Sequence, residues 1–326
     1  MKKNILITGG LGILGAALVK KLSKQNFNIF IIDRSKNIKK IKVLGLYNLN
    51  KVKIIKGNFI NYKSVFKIVK NKKIGTIFHL GAITQVIDAY KSPVETFNSN
   101  IIGTINILET VRNLKKNINI IFSSSDKAYG SLLGNAYKEN HQLKGNFPYD
   151  VSKSASDLIV QSYVKTYGLK AGIIRSGNIY GPGDLNMDRL VPHVIISTLK
   201  NKKSILRSNG KLIRDYIYVD DVANAYFLLM RKMASTKENL RIYNVGSKEN
   251  FTVIEFVKLI TKKINGQEIF PIIKNNSKIE IYRQKLNYQK IKNDLNWYPK
   301  SRFNESLIKT IRWYKDNLSF FDSKFL

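Results

Sequence analysis

Short runs of β-branched and aromatic residues alternate with longer amphipathic stretches through the first half of the chain. The runs have the length of buried strands and comprise residues 5–7, 29–32, 52–55, 76–80, 118–122 and 171–175. Between them, apolar positions recur with helical spacing, most clearly in residues 14–24, 62–70, 94–114 and 152–167. Strands and helices in alternation pair in parallel through right-handed crossovers. The pattern therefore predicts an α/β fold with a doubly wound parallel sheet.

The alternation of strand-like and helical stretches is less regular in the second half of the chain. Prolines and a basic stretch indicate a second, smaller region there: Pro182, Pro192 and residues 200–211. Two later strand-like runs are expected to return to the sheet: residues 217–219 and 243–245. We therefore expect residues 1–177 to form most of the sheet, and residues 178–326 to form a smaller, interleaved C-terminal region.

Composition narrows the classes of protein to which the chain can belong. Hydrophobic residues make up 44% and charged residues 24% of the 326 positions, which is the balance of a globular chain. The absence of cysteine excludes a disulfide framework and a Cys-ligated metal site. The three histidines, His79, His141 and His193, are far apart in the sequence. We expect a cytoplasmic protein without a metal site.

The charge balance is strongly basic. Lys and Arg number 56 and Asp and Glu 22, which gives a formal net charge of +34. The lysines are spread over the whole chain together with Ile and Asn, the residues of A/T-rich codons, and they form no basic stripe interleaved with aromatic residues. We therefore expect no nucleic-acid partner, and a positive field that speeds the arrival of an anionic substrate.

An apolar run near the N-terminus, residues 5–19, is interrupted by four glycines. It stops short of the roughly 18 apolar residues that a membrane span needs. No small-residue cleavage site of the kind that ends a signal peptide follows it cleanly. We therefore expect neither a signal peptide nor a membrane partner.

Glycines at the end of the first predicted strand carry the first chemical signal. Gly9 and Gly12 allow a tight turn and a close approach of the backbone to a pyrophosphate, and Gly15 lets the following helix pack against the sheet. Asp33 ends the second strand, where a carboxylate accepts hydrogen bonds from ribose hydroxyls and repels a 2′-phosphate. This arrangement predicts a Rossmann-type dinucleotide site that prefers NAD to NADP, although Arg34 opposes the preference. The alternative is a tight turn without a ligand.

A tyrosine and a lysine four residues apart, Tyr149 and Lys153, lie on one face of a predicted helix. An ammonium beside a phenol lowers the pKa of the phenol, so Tyr149 is a candidate base near neutral pH. Ser125 lies at the carboxyl end of the fifth strand, an edge where ligands bind parallel sheets. Ser125 could hydrogen-bond the substrate oxygen that Tyr149 deprotonates. The alternative is an incidental Tyr–Lys pair on a surface helix.

These motifs, together with six further segments in a consistent order, resemble one family over nearly the whole chain. The segments are residues 79–82, 100–104, 177–182, 214–221, 243–246 and 295–299. The chain resembles the extended short-chain dehydrogenase/reductase family, the NAD-dependent nucleotide-sugar epimerases and dehydratases. The resemblance implies a homodimer, an NAD-binding Rossmann domain in residues 1–177 and a nucleotide-sugar-binding region in residues 178–326.

The same resemblance assigns roles to individual residues. The implied catalytic set is Ser125, Tyr149 and Lys153. The implied NAD-binding residues are Gly9, Gly12, Ile13, Leu14, Gly15, Asp33, Asn58, Phe59, Leu80, Ala82 and Asn100, with Tyr149 and Lys153. Asn58 stands where the family usually has Asp, and its amide oxygen can still accept a bond from the adenine amine. The residues implied to bind the nucleotide-sugar diphosphate are Asn178, Arg189, Arg214 and Arg283.

The two residues after the serine, Asp126 and Lys127, indicate the reaction. The resemblance is to 4,6-dehydratases, which place an acid and a base here, and the Asp–Lys pair is closest to CDP-glucose 4,6-dehydratase. Oxidation at C4 acidifies the C5 proton, so a neutral Lys127 can remove it while a protonated Asp126 assists loss of the 6-hydroxyl as water. An alternative for the pair itself is a solvated ion pair in a loop.

CDP-glucose is the leading substrate, on the pair and on the segment of residues 183–192. Residues 214–216 instead follow the general family pattern, and the chain is shorter than is usual for CDP-glucose dehydratases. The main alternative activity is an NAD-dependent nucleotide-sugar 4-epimerase with the same Ser–Tyr–Lys set. A third hypothesis is a non-catalytic or RNA-binding relative of these enzymes. The presence of both Tyr149 and Lys153 argues against it.

Overall fold

A parallel sheet forms the centre of the computed structural model, which describes residues 3–132, 134–276 and 280–324. The strands are β1 (Asn4–Thr8), β2 (Asn28–Asp33), β3 (Val52–Lys56), β4 (Thr76–His79), β5 (Asn119–Ser125), β6 (Lys170–Ser176), β7 (Asn178–Tyr180), β8 (Ile205–Leu206), β9 (Ile213–Tyr218), β10 (Leu240–Val245), β11 (Asn250–Thr252) and β12 (Ile272–Ile273). Within these described ranges, seven strands pair in parallel in the order β3-β2-β1-β4-β5-β6-β10. The predicted doubly wound sheet is confirmed.

Helices cover both faces of this sheet. They are α1 (Ile13–Ser23), α2 (Ile38–Val43), α3 (Tyr62–Asn71), α4 (Val86–Lys91), α5 (Pro93–Phe97), α6 (Gly103–Leu114), α7 (Pro148–Tyr167), α8 (Leu190–Leu199), α9 (Val219–Ser235), α10 (Val253–Asn265), α11 (Gln289–Leu295) and α12 (Phe303–Asp316). A π-helical turn, residues 98–102, joins α5 to α6, and 3₁₀ turns span residues 126–129 and 318–324. The single helix predicted for residues 94–114 is therefore two helices joined through a wider turn.

Alternate residues along each strand enter different apolar cores, which explains why β-branched runs fill both faces. In β1, Ile5 and Ile7 pack with α1 and α9, whereas Leu6 packs on the opposite face with α3, α6 and α7. Burial on both faces is typical of parallel strands between two helical layers. Both faces of the sheet that carries the candidate site are therefore covered by helices.

The C-terminal region has its own small sheets and a third apolar core. Strand β9 pairs in parallel with β7 and antiparallel with β11, and β8 pairs with β12. The prediction that residues 217–219 return to the central sheet is wrong, because residues up to Tyr218 belong to β9 and Val219 begins α9. Residues 243–245 do return, as part of β10 beside β6. The division of the chain after residue 177 stays a prediction.

Helix α7 begins at Pro148, four residues before the stretch that the periodicity predicts. Proline fits the first helical position because its missing N–H would have no partner there. Tyr149 consequently lies in the first helical turn, one turn before Lys153. None of the described helices is long and apolar enough to cross a membrane. Among the same residues, no group of His, Asp and Glu could hold a metal ion.

Candidate active site

A cavity of about 1070 Å³ opens at the carboxyl edge of the central sheet, between the sheet and the C-terminal region. The glycine turn, Tyr149, Lys153 and Arg214 all line it. Every candidate site residue from the sequence lines this cavity except Asn58, Asn100 and Arg283. A cavity of this size at this edge is where α/β sheets bind ligands.

The glycine turn leaves the N-terminus of α1 open to an anion. Gly9 has a φ of 69°, a conformation that favours glycine, and a Cβ on Gly15 would lie 2.2 Å from the Gly9 carbonyl oxygen. Gly12 is the N-cap, and the first turn of α1 has neither a side-chain cap nor an acidic residue. The free N–H groups and the helix dipole therefore fit a pyrophosphate.

A buried histidine holds the loop that faces the glycine turn. The hydroxyl of Thr8 accepts the Gly81 N–H at 3.0 Å and lies 2.8 Å from His79 Nδ1, and His79 Nε2 lies 3.1 Å from the Thr104 hydroxyl. Burial, assisted by the charge of Lys153, lowers the pKa of His79 to about 3. A neutral His79 therefore fixes the loop that carries Leu80 and Ala82.

Asp33 lies in the cavity wall at the end of β2, together with Arg34 and Lys40. One of its carboxylate oxygens, Oδ1, accepts the Ser35 backbone N–H at 3.0 Å. Because a carboxylate accepts more than one hydrogen bond, Asp33 keeps capacity for a diol in the cavity.

Asn58, Asn100 and Arg283 have contacts outside the cavity. The Asn100 amide accepts the Ile83 N–H at 2.8 Å and donates to the Ile83 carbonyl and to the Ser152 hydroxyl, both at 2.9 Å. Asn58 Oδ1 accepts the Ile60 N–H at 3.1 Å, and Arg283 is in a parallel β-bridge with Ile213. Asn100 therefore joins the loop after β4 to α7, a structural contact that the sequence pattern does not show.

The structure brings Ser125, Tyr149 and Lys153 to one wall of the cavity. Lys153 Nζ donates to the Ser123 carbonyl at 2.8 Å, and burial lowers the pKa of Lys153 to about 8. Burial raises the pKa of Tyr149 to about 12, against opposing effects of a Ser125 hydrogen bond and the Arg189 charge. The expected lowering of the Tyr149 pKa is therefore wrong for the chain on its own, because desolvation outweighs the favourable contacts.

Asp126 and Lys127 form the turn that follows β5. Ser125 Oγ donates to Asp126 Oδ1 at 3.0 Å and accepts the Lys127 N–H at 3.2 Å. Burial raises the pKa of Asp126, although Lys127 and the Ser125 bond oppose the shift. Asp126 Oδ2 has no hydrogen-bond partner among the described residues. A buried carboxyl of this kind favours its protonated form and can act as an acid.

Two arginines from the C-terminal region reach the cavity. Arg214 Nη2 pairs with Glu280 Oε2 at 2.7 Å, and its Nη1 donates to the Ile281 carbonyl at 2.7 Å. Arg189 bonds Asp184 at 3.2 Å and donates across the cavity to the Thr84 hydroxyl at 2.8 Å. The amide nitrogen of Asn178 is buried without a partner in the described part of the chain. These donors suit an anionic ligand.

An ion pair that sequence reasoning missed fixes α7 against the sheet. Arg175 of β6 donates to both carboxylate oxygens of Asp157 at 2.9 Å, with both side chains buried. The guanidinium also lies over the Tyr129 ring, 4.9 Å from its centroid. The two charged residues are 18 positions apart on different elements, so no local pattern signals the pair.

Asp150 is a second residue that the sequence did not single out. It follows Tyr149 in α7, and burial raises its pKa to about 6 while the charge of Lys127 opposes this shift. Its Oδ1 has no partner in the ranges described above. Asp150 is unusual because its side chain is buried. The sequence does not show this, since an aspartate beside a tyrosine is equally compatible with an exposed position.

Known proteins resemble this chain over most of its length. The dTDP-D-glucose 4,6-dehydratase of Dictyostelium discoideum is 29% identical in an alignment of 367 positions. That alignment covers 98% of this chain and 83% of the dehydratase. UDP-glucose 4-epimerase from the hyperthermophile Thermotoga maritima, in a crystal structure with UDP-glucose, is 26% identical with a TM-score of 0.86. That alignment covers 97% of this chain and 99% of the epimerase.

A crystal structure of dTDP-glucose 4,6-dehydratase from Bacillus anthracis in complex with NAD is 27% identical, with a TM-score of 0.84 over 98% of each chain. The family model described as GDP-mannose 4,6 dehydratase matches residues 6–310. Together these similarities confirm the resemblance to nucleotide-sugar dehydratases and epimerases that the motifs indicated. The chain belongs to the GDP-mannose 4,6 dehydratase family.

Proposed function

We propose that this protein is an NAD-dependent nucleotide-sugar 4,6-dehydratase, which converts an NDP-hexose into an NDP-4-keto-6-deoxyhexose and water. The observation that carries the proposal is the pairing of a buried carboxyl, Asp126, with an amine, Lys127, beside Tyr149 in one cavity. Burial favours the protonated form of Asp126, which is the form that an acid in an elimination requires. The named dehydratases among the similar proteins support the proposal.

NAD fits the glycine turn, and bound there it would supply the acceptor for the C4 hydride and the donor of that hydride to C6. In this proposal the N–H groups of α1 hold the pyrophosphate and Asp33 accepts the ribose hydroxyls. Lys153 contacts the ribose next to the nicotinamide. The NAD complex of the Bacillus anthracis relative supports this choice of cofactor.

The side chains of the chain divide the proton transfers between them. Tyr149 in its ionised form takes the proton of the C4 hydroxyl while Ser125 hydrogen-bonds the same oxygen. The positive charge of bound oxidised NAD would favour the ionised phenol against the effect of burial. Once C4 is a ketone, Lys127 takes the C5 proton as the C5–C6 double bond forms, and it returns a proton to C5 when the hydride is delivered to C6. Asp126 gives its proton to the departing 6-hydroxyl, which leaves as water. Asn178, Arg189 and Arg214 bind the diphosphate, for which Arg214 exchanges its bond to Glu280.

The Asp33 carboxylate is expected to make NAD bind at least about tenfold more tightly than NADP, because it would repel a 2′-phosphate in the partly desolvated cavity. Titration calorimetry of both cofactors measures the difference. Asp33→Asn keeps the size of the side chain and removes its charge, so it should narrow the difference. Equal dissociation constants for the two cofactors in the unmodified protein would contradict this role of Asp33.

For the nucleotide we propose CDP-glucose, on the Asp–Lys pair and the segment of residues 183–192, while the named dehydratases that resemble this chain carry dTDP-glucose in their names. The decisive experiment incubates the purified protein with NAD and CDP-, dTDP-, UDP- and GDP-hexoses, and analyses each product by mass spectrometry. Loss of one water from one nucleotide sugar supports the dehydratase. Turnover of another nucleotide sugar in preference to CDP-glucose rejects the CDP assignment and keeps the reaction.

A 4-epimerase is the second candidate, because the Thermotoga maritima epimerase matches this fold over nearly the full length of both chains. An epimerase needs Ser125, Tyr149 and Lys153 and has no elimination to catalyse. Its product keeps the 6-hydroxyl and inverts C4. The same panel of nucleotide sugars, read by nuclear magnetic resonance for the configuration at C4, separates the two reactions.

We further propose a homodimer, on the apolar side chains that α5, the π-helical turn and α7 expose. Val94 is 71% exposed, and the joining turn and α7 expose Ile102 and Leu158. Large apolar side chains on neighbouring helices favour burial against a second surface. Light scattering at several concentrations determines the mass in solution, and a monomer at all of them rejects the proposal. The cytoplasmic location and the lack of a nucleic-acid partner stay predictions.

A further inference from the structure

Gln284 is a fully buried amide that lies against the candidate base. Its Oε1 accepts a hydrogen bond from Lys127 Nζ at 3.4 Å. The side chain of Gln284 is 0% exposed, and it does not belong to the cavity wall, whereas Lys127 does. A lysine amine has up to three N–H donors, of which this contact uses one. Gln284 therefore holds the amine from the protein side and leaves the cavity side of the amine to a substrate.

The backbone of Gln284 is itself held by the small sheet. Its N–H donates to the Ile213 carbonyl at 3.1 Å, and its carbonyl accepts from the Asn250 amide at 3.5 Å. Two residues further on, the Leu286 N–H donates to Asp215 Oδ2 at 3.0 Å. The segment that carries Gln284 is therefore anchored to β9, the strand that also carries Arg214.

The orientation of the Gln284 amide follows from charge. A flipped amide would direct its NH₂ group at the Lys127 amine, placing donor against donor, so the carbonyl oxygen faces Lys127. Gln284 Nε2 then has no partner among the described residues, and the same holds for Asp126 Oδ2 and Asp150 Oδ1. Buried polar atoms normally have partners. The Gln284 carbonyl oxygen is the atom through which this side chain contacts Lys127.

We propose that Gln284 is a positioning residue for Lys127, which holds the amine where it takes the C5 proton. It touches neither substrate nor cofactor in this proposal and acts only through Lys127. The inference rests on the proposed dehydratase function. It adds a residue of the C-terminal region to the machinery of the elimination, 157 positions away from the base that it supports.

Several other charged groups enter any pH dependence of this site. Asp126 of the same turn and Asp150 of α7 interact with the charge of Lys127. Arg214 and Asp215 of β9 interact with Asp126, and Glu280 interacts with Asp150. Burial raises the pKa of Asp150 to about 6 and that of Asp215 to about 7. A pH profile must therefore be compared between variants that keep all of these groups, as substitutions at Gln284 do.

The kinetic test compares Gln284→Leu, which removes the carbonyl acceptor, with Gln284→Glu, which puts a carboxylate beside Lys127. Gln284→Leu is expected to lower kcat for water loss by about tenfold and to leave KM within about twofold, with reduced cofactor accumulating because only elimination is slowed. Gln284→Glu favours the charged amine and should move the acidic limb of the kcat profile upward by about one pH unit. Gln289→Leu, which removes an exposed amide at the start of α11 outside the cavity, is the matched control and should change neither quantity.

A second measurement does not depend on turnover. The rate at which acetic anhydride modifies Lys127, followed by peptide mass spectrometry over a pH series, reports the fraction of neutral amine. Gln284→Leu removes an acceptor that favours the charged amine, so it should increase the modification rate near neutral pH. Gln284→Glu adds a negative charge that favours the charged amine, so it should decrease the rate. Opposite directions for Gln284→Leu and Gln284→Glu are not expected from a general loss of structure, which thermal unfolding of each variant also monitors.

These outcomes separate the inference from the function on which it rests. If the unmodified protein removes no water from any nucleotide sugar, the dehydratase proposal fails, while the modification rates still test the Gln284–Lys127 contact. If the protein is a dehydratase and both variants keep its rate, its pH profile and its modification rates, Gln284 has no positioning role. Equal slowing of C4 oxidation and of elimination would also overturn the inference, because Lys127 acts only in the second step.

Discussion

Replacement of Tyr149 by Phe is expected to reduce turnover by about 10²-fold or more while NAD binding persists. The phenol oxygen is the proposed base for the C4 hydroxyl, and Phe removes only that oxygen. The ring is buried, so its packing should be kept, and Lys153 bonds the Ser123 carbonyl and not the phenol. The measurement is kcat with the preferred nucleotide sugar, together with the calorimetric affinity for NAD.

The control for this substitution lies on the same helix. Tyr167 is at the last position of α7 and is exposed, so Tyr167→Phe should leave both turnover and NAD affinity unchanged. If the Tyr149 variant keeps turnover close to that of the unmodified protein, another group removes the proton and the assignment of Tyr149 is wrong. Loss of NAD affinity together with turnover would mean that the variant damages the cofactor site.

The second large effect is expected at the acid–base pair. Asp126→Asn keeps the shape of a buried side chain and removes its acidic proton. Lys127→Met keeps most of the aliphatic side chain and removes the amine. Both should slow formation of the dehydrated product by about 10²-fold or more. The first hydride transfer does not involve either residue, so reduced nicotinamide should accumulate and be visible in the near ultraviolet.

Isotopes test the same step in the unmodified protein. In deuterated water the dehydratase should incorporate solvent deuterium at C5 and transfer the original C4 hydrogen to C6, because Lys127 exchanges its proton with solvent while the cofactor does not. Nuclear magnetic resonance of the product locates both labels. Lys138→Met, at an exposed lysine outside the cavity, serves as a control for the Lys127 variant and should retain full activity.

An epimerase would give different results in each of these experiments. It would invert C4 without loss of water and without exchange at C5, and the Asp126 and Lys127 variants would stay largely active. That result would replace the proposed reaction and keep the fold, the family and the proposed Ser125–Tyr149–Lys153 set.

Local pattern was sufficient for the fold and for the position of the glycine turn. The alternation of short β-branched runs with amphipathic stretches determines a parallel sheet between helical layers, because each strand must bury both faces. The turn requires glycine at position 9 for its backbone conformation and at position 15 for close packing. Both requirements can be recognised from single residues in the sequence. Ser125, at the end of β5, follows from the same reasoning, since parallel strands end at one edge of a sheet.

Tertiary structure alone decided which contacts the candidate residues make and which charges they carry. The Tyr–Lys spacing suggested a phenol with a lowered pKa, but burial raises the pKa of Tyr149 to about 12 and directs Lys153 to a backbone carbonyl. Residues 217 and 218, which were expected in the central sheet, belong to β9, and β9 pairs with β7 and β11 instead. Gln284 meets Lys127 across 157 positions. Desolvation and long-range pairing depend on what the folded chain places around a residue, and the neighbours of that residue in the sequence do not contain this information.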